Sequence, residues 1–154
     1  MKRATRMAPV RKLLNDSARD RARDLASAQQ RLHDAEERLR ELTQYHSDYV
    51  STFQRQARGG QSVSTLRDFQ AFLARLLEAV GQQEQIVARV RADLAGFSRQ
   101  WQRAAQKSKA VENVMERWQG EERRVDDRRE QHETDERAQR SASTGTRAAL
   151  RESE

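Results

Sequence analysis

The chain is poor in the side chains that carry catalysis or bind metals. It has no cysteine and three histidines, His33, His46 and His132, and none of them lies four residues from a second histidine or in a carboxylate cluster with metal-site spacing. Neither a phosphate-binding loop of the Walker type nor a nucleophile elbow occurs in the sequence. We therefore expect no enzymatic activity, no cofactor and no bound metal.

The residues that could bind a partner are instead apolar, and they share one flank of a helix pair. In a heptad numbering with Leu25 and Leu66 at position a, four apolar residues near the turn fall at position g: Tyr45, Phe72, Ala79 and Ile86. Charged residues usually occupy position g, and the g edges of two antiparallel helices lie on the same flank. The apolar flank has two interpretations. The side chains could thicken a thin core, or they could form a docking site for a partner, which is favoured because two helices alone cannot enclose so wide a stripe.

Composition alone would place the chain among disordered proteins. Of its 154 residues, 35% are charged, and Leu, Ile, Val and Phe together number 26, with a mean hydropathy of −1.10. Whether the chain folds then depends on where its apolar residues lie, since a few of them suffice when they form one stripe on a helix that another helix covers.

The apolar residues do lie on such a stripe, the seam formed by heptad positions a and d. Between residues 14 and 53 only Arg21 and His46 on the seam are polar. A second seam continues from residue 66 to residue 125, which is about eight heptads. A period of 3.5 residues kept over that length predicts a coiled coil.

Gly59 and Gly60 mark the break between the two seams. Glycine adopts positive φ at little cost, and the surrounding RGGQSVS is typical of a loop between helices. The predicted fold class is all-α, a long two-helix antiparallel coiled coil or α-hairpin. Pro9 suits the first turn of the first helix, and Thr65 followed by Asp68 resembles a capping box at the start of the second.

These signals predict a basic N-terminal arm at residues 1–9, a hairpin at 10–125 and a charged, partly helical to disordered tail at 126–154. Within the hairpin, we expect a helix at about 10–57, a loop at 58–64 and a second helix from about 65 to 125 or beyond. Paired seam residues should have numbers that add up to about 122, as in Phe53 with Phe69 and Leu25 with Phe97.

Four polar residues on the seam are expected to set its register rather than to form a site: Arg21, His46, Gln83 and Ser108. Trp101 lies opposite Arg21, which predicts a core position with a cation–π contact. Beyond Val111 the expected first helix offers no partner, so Met115 and Trp118 should be covered by another molecule or by the N-terminus.

The formal charge of +6 is concentrated at the N-terminal end, where residues 1–24 hold eight Lys and Arg against three Asp. Elsewhere the two signs are interspersed, which is typical of solvated helix faces and not of a phosphate-binding stripe. We therefore expect no nucleic-acid partner. The sequence shows no signal peptide and no apolar run long enough to span a membrane, which together with the lack of cysteine favours the cytosol.

Three stretches of the chain carry a family resemblance: LTQYHSDYVSTF, GGQSVSTLRDFQAFLARLLEAVGQQ and WQRAAQKSKAVENVMERW. In spacing and sequence they resemble the FliJ family of flagellar type III export proteins, over residues 10–125. The paired tyrosines, the short glycine-containing loop, the L-x-x-F-x-x-F-L run and the tryptophan followed by Lys107 and Lys109 occur together in that family.

The resemblance implies a non-enzymatic coiled coil, similar to the rotor stalk of rotary ATPases, in the flagellar export apparatus. Its implied partners are an export ATPase hexamer, the regulator of that ATPase, the export gate protein FlhA, and export chaperones that it helps to recycle. The implied location is the cytoplasm, in peripheral association with the inner membrane at the flagellar base. The isolated chain is expected to be a monomer.

The resemblance also assigns residues to two surfaces. The export gate patch comprises Leu42, Tyr45, Tyr49, Phe72, Leu76, Ala79 and Gln83. The ATPase-facing end involves both terminal parts of the coil and, as candidates, Arg11, Lys12, Met115 and Trp118.

Three alternative functions remain open on the sequence. The chain could be the equivalent stalk protein of a virulence type III secretion system, against which the tyrosine and phenylalanine block argues. It could be a structural coiled coil in which two chains associate side by side. It could also be a basic binder of nucleic acid or membrane surfaces, for which salt-resistant binding would be diagnostic.

Overall fold

The computed structural model describes residues 2–152 and consists, over that range, of two helices and the turn between them. Helix α1 spans Arg3–Ala57 and helix α2 spans Val63–Arg151, with 55 and 89 residues. The predicted all-α helical hairpin is confirmed. The chain divides into two compact units, one of Asn15–Gln106 and one of Met1–Leu14 with Lys107–Glu154.

The turn lies in the unit 15–106 and is closed by backbone hydrogen bonds. The Gly59 amide donates to the Gln56 carbonyl at 3.1 Å and the Gly60 amide to the Ala57 carbonyl at 3.2 Å. Gly60 has a φ of 84°, a conformation that L side chains rarely adopt. The predicted positive φ is therefore confirmed at Gly60, and Gly59 does not share it.

Ser62 caps the N-terminus of α2. Its hydroxyl accepts a hydrogen bond from the Thr65 amide at 3.2 Å and lies 2.8 Å from the Thr65 hydroxyl. The predicted capping box of Thr65 and Asp68 is wrong, because α2 begins at Val63 and Thr65 already lies in its first turn. A serine before the first helical residue supplies the acceptor that this turn needs.

The core of the unit 15–106 is a thin layer between the two helices. Its buried apolar residues are Ala28, Ala35, Leu76 and Val87. Near the turn Phe53 stacks on Phe69 with ring centroids 3.6 Å apart, and at the other end of the unit Arg21 donates to Gln100 at 3.0 Å. Both pairs have numbers that add up to about 122, so the predicted antiparallel register is confirmed in this unit.

Two of the polar seam residues, Arg21 and Gln83, form hydrogen bonds in this unit. The Gln83 amide donates to the Ala35 carbonyl at 3.0 Å, a contact across the helix pair that fits a register-setting role. Arg21, besides its bond to Gln100, lies 3.8 Å from the Asp24 carboxylate. The predicted cation–π contact with Trp101 is wrong, since over residues 2–152 the cations above rings are Arg3 at Trp118 and Arg31 at Phe97. The Arg21 guanidinium is held by polar partners instead.

In the second unit, α1 begins seven residues before the expected start and Pro9 lies inside it, not in its first turn. Proline has no amide hydrogen, so the backbone bond to the Thr5 carbonyl is missing there. The expected basic arm at residues 1–9 is thus helical from Arg3 onward. Of that arm, Met1 lies outside the described residues.

These added turns of α1 cover the distal part of the α2 seam. Met115 is only 2% exposed and Ala4 is also buried. Of the two covers predicted for Met115 and Trp118, the structure shows the chain's own N-terminal turns. They pair antiparallel with α2 through ion pairs of Lys2 with Asp126 (2.6 Å), Arg3 with Glu121 (3.0 Å) and Arg11 with Glu112 (3.6 Å).

Past Asp126, α2 continues to Arg151 although every residue from 127 to 152 is exposed. The tail was expected to be partly helical to disordered, and the structure differs, because the helix is continuous to Arg151; residues 153 and 154 lie outside the described range. Local interactions support the helix, including the ion pair of Glu136 with Arg140 at 3.7 Å and the contact of His132 Nδ1 with Glu136 at 3.4 Å. Pairs four residues apart stabilise an isolated helix by about 0.2–0.5 kcal/mol each.

Candidate docking surfaces

Five aromatic rings form one connected cluster beside the turn. The two residues nearest the turn, Phe53 and Phe69, are stacked at 3.6 Å. Tyr49 stacks on Phe69 at 5.0 Å and lies 4.4 Å from Phe72. Ring pairs in such arrangements contribute about 0.5–1.5 kcal/mol beyond the area that they bury. The cluster therefore holds the two helices together where few aliphatic residues are buried.

Tyr45 lies at the open edge of this cluster. Its ring meets Phe72 edge-on at 6.2 Å and Tyr49 at 6.4 Å, yet 52% of the residue is exposed. Tyr45 and Phe72 belong to different helices, so their contact confirms that the two g edges lie on one flank. The ring presents an apolar face and a hydroxyl to solvent, a combination enriched at protein interfaces.

The seven residues assigned to the export gate patch differ in accessibility. Tyr45 is exposed, whereas Leu42, Tyr49, Phe72 and Ala79 are half-buried and Leu76 is buried. Gln83 is half-buried and its amide is engaged with the Ala35 carbonyl. The accessible part of the patch is thus Tyr45 with the outer edges of its half-buried neighbours, and Leu76 supports the patch from below.

Charged residues of both signs border Tyr45 on α1. A shallow depression beside the ring is lined by Arg40, Glu41, Gln44 and Asp48. The Gln44 amide donates to the Asp48 carboxylate at 2.9 Å, and Arg40 pairs with Glu37 at 3.1 Å. An apolar centre with a polar rim is the usual anatomy of a transient interface.

The four residues assigned to the ATPase-facing end lie in the unit formed by the chain termini. Lys12 is exposed, and Arg11 is held by Glu112. Met115 packs in the core between the helices, which leaves almost none of it for a partner. Trp118 is half-buried beneath the Arg3 guanidinium, 5.2 Å from the ring centroid. Arg3, Arg6, Met7 and Trp118 together line a shallow pocket.

The N-terminal basic excess is partly neutralised within this unit. Lys2, Arg3 and Arg11 each face a carboxylate of α2. The Asp126 carboxylate raises the pKa of Lys2, first through a side-chain hydrogen bond and then through its charge. The sequence shows the excess of positive charge but not this pairing, because the acidic partners lie more than a hundred residues away.

Several exposed aliphatic residues were missed by the sequence analysis. They are Val10 and Leu13 on α1, and Val63 and Leu77 on α2. Leu66 was assigned to the seam, but at the end of the hairpin it remains 40% exposed. Val63 and Leu77 fall at position e and Leu13 at position c. Val10 falls at position g, so the same count carried to the N-terminal end of α1 would have found it, and a count at positions c and e would have found Leu13, Val63 and Leu77.

Within residues 2–152, no group of three or more His, Cys, Asp or Glu side chains could hold a metal ion. His33 and His132 each lie near a glutamate four residues ahead, Glu37 and Glu136, at 3.8 and 3.4 Å. Over the same described range, neither helix contains a stretch apolar enough to cross a membrane.

A protein-family model described as "FliJ: Flagellar FliJ protein" matches residues 1–147. No curated protein and no solved structure matches the chain. The family match extends past both ends of the stretch on which the resemblance was found, and it includes most of the exposed tail of α2.

Proposed function

The chain belongs to the FliJ family of flagellar proteins, and from that premise we propose that it is a stalk-like, non-enzymatic component of the flagellar type III protein export apparatus. The observation that carries the proposal is the family match over nearly the whole chain. The helical hairpin supports it, since an antiparallel helix pair can carry separate binding surfaces along its length.

The first proposed partner is the export gate protein FlhA, docking on the flank around Tyr45. The structure supports this choice of surface in two ways. The Tyr45 ring is accessible while its neighbours Tyr49 and Phe72 hold it in place. A rigid aromatic residue loses little conformational entropy on binding, which makes it a suitable anchor for a partner.

The second proposed partner is the export ATPase hexamer, with its regulator, at the unit formed by the termini. The exposed Lys12 and the pocket at Arg3, Arg6, Met7 and Trp118 are the accessible features there. Met115 would act by holding the helices together. We further propose that the chain binds export chaperones and helps to recycle them. Its proposed location is the cytoplasm, in peripheral association with the inner membrane at the flagellar base.

The proposal is tested by replacing Tyr45 with alanine and measuring binding to the purified cytosolic part of the gate protein by calorimetry. We expect Tyr45→Ala to weaken binding about tenfold or more, the range of an interface anchor. The matched control is Leu77→Ala. Leu77 is 51% exposed, like Tyr45, but its position e lies on the flank opposite position g.

Far-UV circular dichroism should show unchanged helical content for both variants. Equal weakening by Tyr45→Ala and Leu77→Ala would contradict a site on the Tyr45 flank. The absence of binding by the unmodified chain would contradict the gate interaction itself.

A further inference from the structure

The end of the hairpin presents a group of side chains to which the proposed function gives no role. We call it the hairpin tip and define it as Arg55, Arg58, Val63, Leu66 and Arg67. All five lie in the unit 15–106, around the turn between α1 and α2. Val63 is 68% and Leu66 is 40% exposed, at the end of the hairpin where α1 ends at Ala57.

The hairpin tip is positively charged. Residues 51–68 contain three arginines and one acidic residue, Asp68. Within the described part of the chain, none of the three arginines forms an ion pair; Arg55 donates only to the neighbouring Thr52 hydroxyl, at 3.4 Å. Arg3 and Arg11, by contrast, face carboxylates of their own unit. The charge of the tip is therefore available to another molecule.

The backbone of the tip is fixed. The amides of Gly59 and Gly60 bond back to α1, and Ser62 caps α2. Arg58 thus lies in a closed turn, and Val63 and Leu66 lie in the first turn of a helix. Binding to such a preformed surface costs less conformational entropy than ordering a free loop.

We propose that the hairpin tip is a second docking surface, which binds an acidic surface of a protein partner. The planar guanidinium group of arginine matches a carboxylate with two parallel hydrogen bonds, so three unpaired arginines favour a partner rich in Asp and Glu. Val63 and Leu66 are exposed and three residues apart on α2, so they provide an apolar surface that contributes affinity beyond that of charge alone.

Charge and shape argue against a membrane surface and against a second copy of the chain as the molecule bound at the hairpin tip. Recognition of anionic lipid by a basic cluster usually takes about 4–8 Lys or Arg, and the tip has three. The turn holds no tryptophan or tyrosine, and the nearby rings of Phe53 and Phe69 are stacked on each other rather than free to insert into lipid. Tip-to-tip contact with a second copy would bring like charges together, which is unfavourable.

The test places a photo-cross-linking amino acid at Val63 of the full chain, expressed in its native cells, and identifies the adduct by mass spectrometry. We expect one protein adduct whose cross-linked peptide is rich in Asp and Glu. The charge reversal Arg58→Glu with Arg67→Glu should lower the adduct yield about tenfold or more, because it turns attraction into repulsion. The control is Arg137→Glu with Arg147→Glu, the same change of charge on the exposed tail of α2, which should leave the yield unchanged.

Several results would overturn the inference: a phospholipid adduct, an adduct with a second copy of the chain, no adduct at all, or a yield that the tip charge reversal leaves unchanged. Circular dichroism of the variants verifies that they are folded.

A cross-linker at Tyr45 separates this inference from the proposed function. Capture of the gate protein at Tyr45 without any adduct at Val63 would overturn the inference alone. An acidic partner at Val63, with no gate capture at Tyr45, would overturn the gate interaction alone.

Discussion

Replacing Met115 with alanine should loosen the N-terminal turns of α1 in the unit that contains the chain termini. Met115, for which the sequence predicts cover by another molecule or by the N-terminus, is only 2% exposed. Truncating a buried methionine to alanine costs about 2–5 kcal/mol, and the cost is lowest where neighbours can collapse into the space. A two-helix layer collapses easily, so we expect a loss of about 2 kcal/mol.

The appropriate assay is amide hydrogen exchange on the peptide covering residues 3–14. A loss of about 2 kcal/mol multiplies the opening constant of these turns by about 30, and the exchange rate should rise by the same factor. Val125→Ala is the matched control. Val125 also occupies a seam position, but it is 59% exposed, so its truncation should change the rate less than about threefold. Equal exchange in Met115→Ala and the unmodified chain would refute the packing of α1 on this part of α2.

Three further predictions concern the turn and the state of the chain. Gly60→Ala should destabilise the protein by about 1–2 kcal/mol in urea unfolding, because Gly60 has a positive φ. Gly81→Ala should stabilise it by up to about 1 kcal/mol, because Gly81 lies in α2 and nothing lies within 4 Å of the added methyl. A loss of stability in both variants would contradict the helix assigned around Gly81. Ser62→Ala should lower the free energy of unfolding by about 1 kcal/mol in the same assay, and Asp68→Ala should lower it by less than half of that. A larger loss in Asp68→Ala than in Ser62→Ala would support the capping box of Thr65 and Asp68 instead. Light scattering at micromolar concentration should give 17.9 kDa for the isolated chain, and twice that mass would favour the side-by-side structural coil.

The register was predictable because it depends on the seam alone. Once Gly59 and Gly60 fix where the chain reverses, the heptad pattern determines which residues of the two helices meet, as the stacking of Phe53 on Phe69 shows. The flank shared by Tyr45 and Phe72 follows from the same count. The register and the shared flank both depend on a periodicity repeated over many residues, so the prediction does not depend on the identity of any single residue.

The helix ends were less predictable because each depends on one or two residues. Ser62 and Thr65 both have the side chain of an N-cap, and the Asp68 carboxylate favoured the wrong one of the two. Pro9 is common in a first turn, but here the turns before it pack on α2, and this packing outweighs the one backbone hydrogen bond that proline removes. The pairing of Lys2 with Asp126 could not be seen either, since it depends on where α1 begins.

The aromatic cluster links the stability of the hairpin to its proposed docking flank. Two helices cannot surround five rings, so the ring farthest from the turn stays partly in water and becomes available to a partner. Phe72 contacts both Tyr49 and Tyr45, at 4.4 and 6.2 Å, and its removal would disturb the packing and the surface at once. Tyr45 contacts the cluster only at its edge. Its replacement therefore separates docking from packing, because any binding lost with Tyr45 while Phe69 and Phe72 remain packed against Tyr49 must come from the exposed ring.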